Sequence, residues 1–126
     1  MIESSETKDP RRRAISWIKA ATKDFIEFPV HVQMRILTAL VIAAHGRKAD
    51  FAKPMKGFGS GVHEIAFQYQ SNAYRTVYVL DLDTDIWVVH SFQKKSKKGI
   101  RTPKPEIEKI RSRIIALKEM LRDERA

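Results

Sequence analysis

The 126-residue chain contains no cysteine, which excludes disulfide scaffolds, cysteine-ligated zinc, thiol nucleophiles and iron–sulfur clusters together. Long hydrophobic runs are missing as well. The longest strongly apolar stretch, Ile36 to Ala44, is about half of what a bilayer span needs. Residues 1–13 carry three acids and lack the apolar segment of a secretory signal. No internal repeat or low-complexity tract is visible. Negative charge is in deficit: 15 Asp and Glu stand against 24 Lys and Arg, for a formal charge of +9. That balance makes a polyanion the default partner. The four histidines (31, 45, 63 and 90) lack metal-ligand spacing. Asp81, Asp83 and Asp85 have the alternate spacing that opens a calcium loop. Ile86 stands where such a loop needs glycine, however, and Phe92 where it needs a bidentate glutamate, so a strand-connecting turn is expected. No glycine-rich phosphate cradle, nucleophile elbow or paired-carboxylate motif stands out. Neither a metal nor a cofactor is expected, and the class is a soluble, basic, cytoplasmic single domain.

What is present is a core and an uneven distribution of charge. Hydrophobic residues make up 43% of the chain, enough for one domain of this size. Residues 1–13 read as a flexible segment and 14–126 as the folded domain. Segments 45–61 and 93–103 carry +3 and +5, and they flank a middle, 62–92, that carries −3. If the two basic segments meet in space, they build one cationic surface.

The apolar pattern gives the order of elements. A short strand is expected over Ala14–Lys19, then a brief helix capped by Thr22 and running through Phe28. Pro29 suits the first turn of a second helix, whose apolar face is read as Val30, Met34, Leu37, Val41 and Ala44, with Gly46 as terminator. Residues 47–61 read as loop. Period-two patterning then marks strands Val62–Tyr69, Ala73–Leu80 and Ile86–Phe92, separated by Gln70–Asn72 and Asp81–Asp85. Residues 93–101 read as a basic loop. Thr102 is expected to cap a last helix, with Ile107, Ile110, Ile114, Leu117 and Leu121 in its apolar stripe. The expectation is an α+β domain of order β-α-α-β-β-β-α, an antiparallel sheet packed on an αα-hairpin with a C-terminal helix. Since the hairpin covers one sheet face, the other is expected to form an open cationic trough.

The candidate functional residues are mostly cations on ordered elements. Arg75 is the only Lys or Arg between positions 57 and 93, in an otherwise apolar strand, and alternation puts it with Ala73, Val77 and Val79. It either binds phosphate or pairs with Glu64 on the neighbouring strand, and both can hold. Lys53 and Lys56 lie in the loop that enters that strand's neighbour. His90 has the chemistry of a general acid or base, or equally of a rim histidine with a structural hydrogen bond. Phe92 either stacks on a base or covers the core. Gln93, Lys94, Lys95, Lys97 and Lys98 then follow as a basic tail suited to phosphate contacts, or as a solvated face. Together these residues fit metal-free RNA chemistry, in which the 2′-OH attacks the adjacent phosphorus in line and cations stabilise the developing charge.

Four runs sharpen this: AKPMKG (52–57), VHEI (62–65), YRTVY (74–78) and HSFQKKSKKGIRTPKPEIE (90–108). In this order they resemble the RelE/ParE toxin superfamily, and within it the HigB-like, phage-derived branch, over roughly Ile15 to Leu121. The resemblance implies a toxin of a type II toxin–antitoxin pair that enters the ribosomal A site and cuts mRNA there without metal. By position, Arg75 matches the phosphate-stabilising arginine, Lys53 and Lys56 the basic loop that contacts RNA and assists proton transfer, and Phe92–Lys95 the strand exit at the substrate. His90 falls where some members carry an acid/base or stacking residue. The resemblance also implies a cognate antitoxin, usually of helix-turn-helix type, through which the complex reaches operator DNA. ParE-type members of the superfamily instead bind gyrase, and an inactive RNA-binding domain is the third reading.

Overall fold

The computed structural model describes residues 12–95 and 101–125. Its elements are β1 (Ile15–Trp17), α1 (Lys19–Phe25), α2 (Val30–Ala44), β2 (Ala52–Pro54), β3 (Val62–Tyr69), β4 (Asn72–Val79), β5 (Ile86–Lys95) and α3 (Lys104–Arg125). The α+β class and the order expected from sequence are present, with one added strand. β2 lies inside the segment read as loop and pairs antiparallel with β3. Three residues between two turn-rich stretches are too few for period two to show.

The sheet runs β1-β5-β4-β3-β2, antiparallel except for the β1–β5 pair. The hairpin α1–α2 packs on one face over Ile65, Tyr74, Tyr78, Ile86 and Val88. α3 packs on the other, where Ile110, Ile114, Leu117 and Leu121 meet Val62, Val77, Val79 and Val89. The expected open face is therefore partly covered. Arg13 belongs to the folded body, because its guanidinium donates to the carbonyls of Leu80, Asp83 and Thr84 and its backbone N–H to that of Ala44.

Three local features depart from the sequence expectation. First, β1 ends at Trp17 and α1 begins at Lys19, so Thr22 sits inside the helix rather than at its cap; Ile18 is the extended residue that turns the chain. Second, α2 buries Val32, Ile36, Ala39, Leu40, Ala43 and Ala44, so of the face expected from sequence only Ala44 is buried, whereas Val30, Met34, Leu37 and Val41 face outward. The helix carries two apolar stripes, and periodicity alone cannot say which one meets the sheet. Third, β5 carries a bulge: Val77 pairs with His90, but Tyr78 pairs with Val88, which leaves Val89 as the extra residue. Gly46 does end α2 as expected. At φ +88° it lets its own N–H reach the Ala43 carbonyl and that of Arg47 reach Ile42.

Candidate functional site

The bulge decides what shares a face. With strict alternation His90 and Phe92 follow Ile86 and Val88 toward the hairpin. One extra residue turns them over, onto the face of Arg75 and α3. Two cross-strand rows result on that face. Lys53, Glu64, Val77 and His90 form one across β2 to β5, and Ala66, Arg75 and Phe92 form the next. Neighbouring strands lie about 4.8 Å apart, so Lys53 and His90 end a row roughly 14 Å wide.

Arg75 is 7% exposed, and its Nη1 donates to Glu64 Oε1 at 3.2 Å. The second oxygen of the same carboxylate accepts from Thr102 Oγ1 at 3.2 Å. Thus the hydroxyl expected to cap α3 instead ties the segment before that helix to β3. Glu64 is itself buried, so its charge is held by a cation on one oxygen and a hydroxyl on the other. The arrangement draws the guanidinium from the second row, where Arg75 stands opposite Phe92, toward Glu64 in the first.

His90 is 1% exposed and engaged at both ring nitrogens. Arg113 Nη1 lies 2.6 Å from Nδ1, and Glu106 Oε1 lies 2.6 Å from Nε2. A guanidinium can only donate, so Nδ1 accepts, Nε2 carries the hydrogen, and Glu106 receives it. Burial lowers the imidazole pKa below its ordinary value; the bond to Glu106 opposes this, while the positive charge of Arg113 adds to it. Arg113 also donates to Asp24 Oδ2 and to the Val89 carbonyl in the bulge, so the chain of contacts joins α1, β5 and α3. The His90 ring stacks on Phe92 with centroids 5.4 Å apart.

The other residues singled out from sequence divide. Lys53 is exposed at the edge of the first row. Lys56 is exposed in the following loop, which Arg111 pins by donating to the Gly57 carbonyl at 2.9 Å and covering the Phe58 ring. Lys94 lies two residues beyond Phe92 on the same face, and its Nζ donates to the Arg101 carbonyl at 2.8 Å. Gln93 pairs with Tyr74, whose ring packs toward the hairpin, so it is placed away from Arg75. β5 extends through Lys95, three residues past the expected end, and Lys95 stands opposite Asn72. Lys97 and Lys98 lie outside the described residues.

Glu106, Arg113 and Asp24 escaped the sequence reading, and Thr102 entered it only as a helix cap. For two of them a signal existed: Glu106 and Arg113 fall at helical spacing with Ile110 and Leu117, polar residues set within an apolar stripe. Among the described residues no group of three or more His, Asp or Glu is placed to hold a metal ion.

Comparison with known proteins gives a consistent frame. A family profile described as "Phage derived protein Gp49-like" matches residues 23–114, well over half of the chain. No curated protein sequence matches significantly. Among solved structures, that of an Escherichia coli toxin RelE double arginine-to-alanine mutant in the free state superposes with a TM-score of 0.57 at 15% identity. The match covers 83% of this chain and 96% of that one, and it shows a shared fold.

Proposed function

The chain belongs to the Gp49-like phage-derived family, which is of the RelE/HigB toxin type, and from that premise we propose that it is the toxin of a type II toxin–antitoxin pair. Its activity is metal-independent cleavage of mRNA on the ribosome, in the cytoplasm, which stops translation. Among the described residues no helix is long and apolar enough to cross a membrane. The observation that carries the reading is the second row of the α3 face. Arg75, its guanidinium held by Glu64, stands opposite Phe92 there, with Lys53 and Lys94 in the neighbouring rows of the same face.

In this scheme the RNA supplies its own nucleophile. The 2′-OH attacks the adjacent phosphorus, the bond to the 5′-oxygen breaks, and a cyclic phosphate and a 5′-hydroxyl remain. Arg75 stabilises the charge on the phosphorane oxygens, a role worth ~10²–10³ in rate for a single donor. Lys53 and Lys56 hold the RNA strand and assist proton transfer; for a base to stack on Phe92, the ring, 8% exposed and packed on His90, must first be uncovered. Lys94, Lys95, Lys97 and Lys98 add phosphate contacts whose affinity falls with salt. Acting as acid or base requires His90 to open one of its two short hydrogen bonds; in the resting geometry it positions Phe92. Control comes from a cognate antitoxin, which carries the helix-turn-helix and the contact with operator DNA.

The test is cleavage of a defined mRNA on programmed ribosomes with chelator present, comparing wild type with Arg75→Ala and with free RNA. Cuts within the A-site codon that fall at least a hundredfold in the variant are expected. Toxic expression with no ribosome-linked cutting overturns the nuclease reading in favour of a non-catalytic inhibitor, as in gyrase-binding members of the superfamily. Harmless expression overturns the toxin reading itself.

A further inference from the structure

Where α2 ends and the chain turns toward β2 lies an open cavity of ≈ 830 Å³, lined by Arg35, Ile42, Arg47, Lys48, Asp50 and Phe51, among others. Small-molecule sites occupy about 300–1,000 Å³. Three cations, Arg35, Arg47 and Lys48, share this one with a single acid, Asp50. Among the described residues neither Arg35 nor Arg47 donates to a carboxylate or a carbonyl. Lys48 is tethered instead, its Nζ donating to the Ala52 carbonyl at 2.9 Å and to that of Ala49 at 3.4 Å. The fold thus gathers positive charge here without neutralising it.

Arg35 is nonetheless oriented. Its guanidinium lies 5.3 Å from the Phe51 ring centroid and 5.1 Å from that of Phe67. Cation–π contact of this kind holds the guanidinium while leaving its N–H donors unspent. The residue is exposed, so the outer face of the guanidinium stays open, and a nucleobase stacks on such a plane as it does on an aromatic ring. The C-terminus of α2 borders the cavity and by its dipole disfavours an anion. Its last carbonyls are spent, however. That of Val41 accepts from the backbone N–H and the ring Nδ1 of His45, that of Ile42 from Arg47 and that of Ala43 from Gly46.

The planar groups continue beyond the cavity. His31, one turn before Arg35 on α2, has its ring 5.1 Å from that of Tyr69 and 6.0 Å from that of Phe67. Tyr69, His31, Phe67, Arg35 and Phe51 therefore form a ladder of flat groups along the hairpin side of β3. We propose that the cavity binds a nucleotide unit, its base stacked on the outer face of Arg35 and its phosphate held by Arg47 and Lys48. The unit is either a free nucleotide or one residue of a single-stranded RNA, whose next base then lies on His31. Arg75 stands on the α3 side of the sheet and the cavity on the hairpin side, so the two sites are separate.

In the test, adenosine diphosphate and a fluorescein-labelled pentaadenylate are titrated into the full chain, the first by calorimetry and the second by anisotropy. Arg35→Gln with Arg47→Gln is expected to weaken both at least tenfold, with thermal melts like wild type because both side chains are exposed. Lys118→Gln, which removes an exposed cation of α3, is expected to change either less than twofold. His31→Ala distinguishes the sources: a loss confined to pentaadenylate assigns the site to an RNA strand, and no loss for either probe assigns it to a free nucleotide. Photolabelling with 8-azidoadenosine diphosphate is expected to mark residues within 42–51. No saturable binding of either probe overturns the site, as does a loss smaller than tenfold in the double variant. An equal loss in Lys118→Gln reports undirected charge attraction and also overturns it. So does label confined to the strand residues around Arg75 or Phe92, which places the nucleotide on the cleavage row. Ribosome-linked cutting is read separately, so none of these failures bears on the toxin reading.

Discussion

Replacing Arg75 by methionine keeps most of the side chain's apolar volume but removes the cation that faces Glu64. Both side chains are almost wholly out of water, at 9% and 8% exposure. Breaking a buried pair from one side costs about 3–5 kcal/mol, because the surviving charge is desolvated without a partner. Here Thr102 still donates to the second carboxylate oxygen, so the lower end, about 3 kcal/mol, is expected. For a chain of this length that corresponds to a fall in Tm of roughly 10–15 °C. Glu64→Gln with Arg75→Met removes both charges at once and is expected to recover at least 1 kcal/mol relative to the sum of the single variants, within the range of about 0.5–3 kcal/mol found for residues in contact. Urea denaturation of all four proteins, read as midpoint and slope, gives the cycle. A loss below about 1 kcal/mol for Arg75→Met, or additivity within about 0.5 kcal/mol, refutes the claim that the pair is a buried, coupled unit. The double variant has a second use. Where it still melts above the assay temperature, its failure to cut mRNA reports chemistry rather than unfolding.

Two further predictions rest on single features. Gln70 and Ser71 both adopt positive φ, 50° and 71°, in the two-residue turn between β3 and β4. Side chains disfavour that region by roughly 1–2 kcal/mol per residue, so Gln70→Asn with Ser71→Gly is expected to raise stability by about 1 kcal/mol in urea titration; an unchanged or lower midpoint counts against the strain. His90 is neutral in the fold, and its lowered pKa sets a sign. Below about pH 6.5 the unfolded chain binds a proton that the folded chain refuses. The stabilising contribution is therefore complete above that pH and is lost as pH falls toward the folded pKa, at no more than about 1.4 kcal/mol per pH unit. Stability profiles of wild type and His90→Gln from pH 8 to 5 are expected to differ in slope below 6.5, and parallel profiles refute a lowered His90 pKa.

Composition and period determined a good deal by themselves. The strands of the meander, the last helix and its stripe through Ile110, Ile114, Leu117 and Leu121 all follow from residue type and spacing, and all are present. Arg75 was conspicuous because a lone cation in an apolar strand needs a reason, and its pairing with Glu64 was one of the two that alternation allowed. What tertiary structure alone decided is orientation. α2 has two apolar stripes of similar quality, and only docking on the sheet selected Ile36 and Leu40 for the core and left Met34 and Leu37 outside. β5 reads as uniform alternation, yet one bulged residue at Val89 carries His90 and Phe92 across to the face of Arg75. The physical reason is the same in both cases. Periodicity reports that a side is apolar, a local property, whereas which side is buried depends on partners that are distant in sequence, and the packing free energy is settled only when they meet.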